Sequence, residues 1–167
     1  MKKLFYLALL LIAASIVSRQ FKPDDRPAEV VFKESMNFAK WQTYQVTNFN
    51  FSFEYPSFFT KEADDGQGNV RLGYHNHFMD LVMECHVQPC ANEPERERDI
   101  ISTGQLPDHD GYRFFSHKVL HDNRWHSLTL YYPHSCHEGA ARIMHSIKKW
   151  QPFSHKKLFQ GNEGQPT

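Results

Sequence analysis

Between Asn48 and Tyr55 the chain alternates strictly, with Phe49, Phe51, Phe53 and Tyr55 separated by Asn50, Ser52 and Glu54. A period of two places every ring on one side of an extended backbone, a set that no helix face can bury together. The segment is predicted to be a half-buried strand, aromatic face inward, stopped by Pro56. Such a strand obliges the rest of the chain to supply partner strands and a core of large side chains. Aromatic residues make up 14% of the 167, enough to build one.

The remaining elements follow from periodicity and turn chemistry. Asp64-Asp65-Gly66-Gln67-Gly68-Asn69 is a turn cluster leading to Val70, Leu72 and Tyr74, a second short strand. A third strand follows His75-Asn76-His77, with Met79, Leu81, Met83, Cys85 and Val87 on one face and Asp80, Val82, Glu84 and His86 on the other. Asn92 to Gly104 is predicted as a short surface helix: Asn92 can cap it, Pro94 fits its first turn, and Glu93 and Glu95 suit its positive end. Tyr112–Leu120 and Trp125–Tyr132 flank Asp122-Asn123 and are predicted to form a hairpin. In that register Phe115, His117 and Val119 share a face with His126, Leu128, Leu130 and Tyr132. Ser135-Cys136-His137-Glu138 reads as a capping box, opening a helix whose apolar stripe is Ala140, Ile143, Met144, Ile147 and Trp150.

Residues 19–28 carry two prolines and five charges and read as a linker, while 29–45 suit strand or helix equally. The polar stretch 151–167 reads as a mobile tail. Three strands, a helix, two strands and a helix give an α+β fold, an antiparallel sheet covered by helices in a single domain over 46–150.

Phe53-Glu54-Tyr55-Pro56 at a strand end, the late hairpin and the closing Ile147-Lys148-Lys149-Trp150 resemble the PsbP-like superfamily. The resemblance spans residues 46–150 and implies an α/β/α sandwich. Members of that superfamily are mostly binding and assembly factors, so it also implies a non-catalytic role. It assigns no functional residue in this sequence.

Lys2 and Lys3 precede an uncharged run of 14 residues from Leu4 to Val17. That run is short of the roughly 20 residues of a membrane span and suits a signal peptide, placed at residues 1–18. A periplasmic or secreted address is therefore expected, with membrane attachment only if the segment is not cleaved. Without Lys2 and Lys3 the 19 Lys and Arg become 17 against 19 Asp and Glu, a balance of −2 with histidine neutral. This lacks the basic footprint of a nucleic-acid binder, and that class is set aside.

Three cysteines and eleven histidines supply the candidate chemistry. Cys136, at the first position of the predicted helix, could be a reactive thiolate or, with His134 and His137, a zinc or copper ligand. Cys85, His86 and Cys90 could join such a set. Cys85 and Cys90 could instead form a disulfide across Pro89, as an oxidising compartment favours. His117 and His126 fall as diagonal neighbours on the hairpin, and Asp108-His109-Asp110-Gly111 reads as a solvated loop. Phe58 and Phe59, just beyond Pro56, are expected in a turn as a partner surface. No nucleophile, base and oxyanion site converge, so no catalytic or cofactor-binding residue is assigned. The expected function is an exported, non-catalytic binding or assembly domain of the bacterial cell envelope, whose partner is an envelope protein or a small ligand. Metal binding through Cys136 and its histidines is the alternative.

Overall fold

The computed structural model describes residues 26–90 and 98–153. The signal segment, the Asn92 cap and the tail beyond 153 lie outside them. Among the described residues the fold is α+β, with a six-stranded antiparallel sheet, a two-stranded one and two helices.

The sheet is organised around the hairpin of β7 (Tyr112–His121) and β8 (Arg124–Pro133). Asp122 and Asn123 both take the left-handed backbone, at φ 48° and 57°, the two-residue turn whose twist matches its strands. The register pairs Phe115 with Leu130, His117 with Leu128 and Val119 with His126, as the alternation predicts. β5 (Asp80–Pro89) adds to the free side of β8, followed by β4 (Val70–His75) and β3 (Thr60–Asp64). On β5, Leu81, Met83, Cys85 and Val87 are all buried, with Met79 just before them.

Residues 99–105 correct the predicted helix. They form β6 (Asp99–Gln105), the edge strand against β7 from Asp99↔Val119 to Gln105↔Arg113. Ile100 and Ile101, read as a helix's weak apolar face, alternate across this strand instead. β3, in which all five residues are exposed, had no sequence signal.

The ambiguous segment resolves into α1 (Ala28–Phe38) and β1 (Trp41–Val46), so the packed unit starts ahead of residue 46. Asn50, at φ 52°, closes a short 3-10 turn over Thr47–Phe49, so the aromatic strand begins two residues late, as β2 (Phe51–Pro56). Phe51 and Phe53 enter the core.

The closing helix, α2 (His137–Lys148), lies on the inner face of the sheet. Ala140, Ile143 and Ile147 are fully buried and Trp150 nearly so. α1 packs against α2 at Gly139, where an added Cβ would lie 2.4 Å from the Phe32 ring. The predicted capping box is absent. A 3-10 turn over His134–Cys136 precedes α2, no side chain caps it, and Glu138 pairs with Lys33 of α1 across 2.5 Å.

Ile143 is completely buried at the centre of the helix–sheet contact. Ile143→Ala is expected to lower unfolding free energy by about 2–5 kcal/mol, measured as a urea midpoint shift at unchanged slope.

Candidate functional site

The sequence-predicted residues do not converge. Cys136 is buried, its sulfur 3.7 Å from that of Met79, and desolvation pushes its thiol up in pKa. It precedes α2 rather than opening it. His137 shares a 3.1 Å hydrogen bond between Nδ1 and the Tyr132 hydroxyl, while His134 is exposed. Among the described residues no group of three or more His, Cys, Asp or Glu is placed to hold a metal ion.

No disulfide joins Cys85, Cys90 or Cys136, so the predicted Cys85–Cys90 bridge is not formed. Five residues along an extended strand separate the two by about 16 Å, far beyond disulfide reach. Burial pushes the Cys85 thiol up to about 12. Phe58 and Phe59 are also not a surface. Phe59 is buried, and Phe58 packs on Phe32 and Tyr74 with centroids 6.2 and 4.9 Å apart. Among the described residues the exposed phenylalanine rings are Phe38 and Phe78.

His117 and His126 face inward as diagonal neighbours but serve different contacts. His117 is buried with Nδ1 2.8 Å from the Ile147 carbonyl and Nε2 2.6 Å from Asp99, tying α2 to the edge strand β6. His126 sits among Phe49, Phe51 and Phe153, and its Nδ1 has no partner among the described residues. Burial, then the nearby His121, hold its pKa down to about 4.

The outer face of the sheet carries charge, but its groups satisfy one another. Arg71 joins Glu62 (2.9 Å) and Glu84, and His75 joins Asp80 (2.8 Å) and Glu62. The hydrogen bonds to Asp80 and Glu62 raise the His75 pKa, and the bond from His75 lowers that of Glu62.

A well-defined concavity lies elsewhere, between the β1–β2 hairpin and the exposed side of α2. It is a cleft of about 760 Å³. Trp41, Thr43, Ser52 and Glu54 line the hairpin side, because the pairings Trp41↔Pro56, Thr43↔Glu54 and Gln45↔Ser52 put them on one face. Arg142, His145 and Lys149 line the helix side, where spacings of three and four residues stack them on one stripe. Phe53 and Trp150 supply apolar surface. Arg142 donates a guanidinium N–H to the Met36 carbonyl at the end of α1, which anchors the charged head, one of whose five N–H donors this bond uses. Glu54 is the only carboxylate among the lining residues, so the cleft is cationic.

In the sequence Ser52, Phe53 and Glu54 read as part of a core strand and Lys149 and Trp150 as the end of the closing helix, while Trp41, Thr43, Arg142 and His145 carry no signal. No protein-family profile, curated protein or solved structure matches the chain.

Two solution properties follow. Under native conditions a maleimide at pH 7 should leave buried Cys85 and Cys136 untouched until denaturant is added, as read by peptide mapping. His126 governs acid stability. Its folded pKa lies below the unfolded value, so between pH 6.5 and 4 the unfolded chain binds a proton that the native one does not. Stability should fall across that window by about 3 kcal/mol, and His126→Phe should flatten the fall in urea titrations at each pH.

Proposed function

We propose that this chain is an exported, non-catalytic binding domain of the bacterial cell envelope, and that the cleft between β2 and α2 holds its ligand. The cleft's chemistry carries the reading. An apolar floor of Trp41, Phe53 and Trp150 with a few polar groups at its rim is how proteins hold ligands in concave sites. Arg142 and Lys149 select for negative charge, so the ligand has an apolar body and an anionic group. Export rests on Lys2, Lys3 and the uncharged run from Leu4 to Val17. The resemblance to the PsbP-like superfamily adds support for binding over catalysis. The alternative of zinc or copper at Cys136, His134 and His137 draws no support from the arrangement around Cys136.

The test is a photo-crosslinking amino acid placed at Thr43, in the cleft, and at Lys118, exposed on β7, in intact bacteria. A discrete adduct from position 43, absent from position 118, is expected. The same adducts from both positions, or none from either, would remove the cleft as the binding place.

A further inference from the structure

The hairpin leaves one strand edge open beside these cations. In an antiparallel pair, alternate residues direct both main-chain groups at the partner strand, and those between them direct both groups away. Three observations fix which are which on β2. The Ser57 amide donates to the Lys40 carbonyl at 2.8 Å, which sets Phe51, Phe53 and Tyr55 as the residues bonded to β1. Pro56, which has no N–H to give, falls in the other set. The Trp150 indole donates at 2.9 Å to the Ser52 carbonyl, reaching it from the α2 side. Ser52, Glu54 and Pro56 therefore turn their main-chain groups away from β1 and toward the cleft. Among the described residues the Trp150 indole takes the Ser52 carbonyl on that edge and the Phe59 amide takes the Pro56 carbonyl at 3.1 Å, which leaves the Glu54 pair between them.

We infer that an extended peptide bearing a carboxylate adds to β2 as a third strand, lying in the cleft with its negative charge against Arg142 and Lys149. This deepens, and rests on, the assignment of the cleft as the binding site. The Glu54 N–H and C=O are the main-chain pair offered to the peptide. Trp150 closes the groove at Ser52 and Pro56 ends the ladder at the other side. From Ser52 to Pro56 is about 13 Å, room for about four extended residues. Ser52 and Glu54 are the cross-strand neighbours of the peptide's side chains on one face, with Thr43 and Trp41 one strand further along it. An acidic side chain and a chain terminus both fit, since each offers the same two oxygens to a guanidinium.

Three tetrapeptide probes on one Val-Thr-Val scaffold separate the cases: one ending in Glu with an amidated terminus, one ending in Val with a free carboxylate, and one ending in Lys-amide. Binding is read by amide chemical shifts and fluorescence anisotropy on the purified full chain. The expected result is shifts at Ser52 and Glu54 with one or both acidic probes, and affinity at least about tenfold weaker for the Lys probe and for Arg142→Gln. Preference between the first two names the source of the carboxylate. Glu54→Pro removes an outward N–H without touching the β1 ladder, and should abolish probe binding while leaving the circular dichroism spectrum and urea midpoint near those of the parent. No shift at Ser52 or Glu54 with any probe, equal binding of the Lys probe, or self-association through β2 seen by sedimentation would overturn strand addition. An adduct at position 43 in cells that survives Glu54→Pro would sink strand addition alone and leave the cleft as a binding site. Failure of the position 43 adduct in the parent chain would remove the underlying assignment instead.

Discussion

The two-residue turn at Asp122-Asn123 is the constraint from which the rest of the sheet is built. It fixes the register of β7 against β8, and a slip of one residue would carry Leu128, Leu130 and Tyr132 out of the core together. β5 reads its register from β8, and β6 from β7, so every strand but the β1–β2 hairpin inherits the choice. The same choice turns two histidines inward. His117 recovers its lost hydration through the Ile147 carbonyl and Asp99, and in doing so bonds the last turn of α2 to the sheet edge. His126 keeps one nitrogen unpaired and is held neutral by its aromatic surroundings. Register is thus set against some polar cost, and the acid sensitivity of the fold is one consequence.

The elements legible in the sequence were those in which periodicity and turn chemistry agree. The stripe of α2, the Met79–Val87 face and the β7–β8 hairpin each bury one whole side, so composition alternates with position. β3 and β6 are edge strands with no fully buried residue, held by main-chain pairing rather than by a buried face. A chain in that situation has no period to read, and the Asn92-Glu93-Pro94 start signal filled the gap with a helix. α1 was readable in part, since Phe32 and Met36 are one helical turn apart and both buried, but eleven residues gave too short a pattern to exclude a strand.

The candidate site was hidden for a different reason. Trp41, Arg142, His145 and Lys149 are ordinary surface types, and their meaning comes from where a 98-residue separation folds back, as the Trp150 to Ser52 bond shows. The parity of β2, which decides whether Glu54 or Phe53 offers its main chain outward, depends on its pairing with β1 and is invisible until that partner is known. Cys85 and Cys136, which looked chemical, are buried fillers. Their sulfur packs against Met79 or within β5, where burial suppresses the thiolate that reactivity needs.

An open strand edge is ordinarily a hazard, because any other strand can pair with it. Here the edge is short, ends in a proline, carries the Glu54 carboxylate, and has one carbonyl taken by Trp150. These are the devices by which proteins discourage edge pairing, and a long apolar strand meets all of them at once. A short peptide does not. It fits between Trp150 and Pro56, and a carboxylate on it meets Arg142 and Lys149 on the facing wall, which outnumber the single charge of Glu54. The features that protect the edge against indiscriminate pairing therefore narrow what can use it to a short, extended and acidic segment, so protection and selectivity arise from the same side chains.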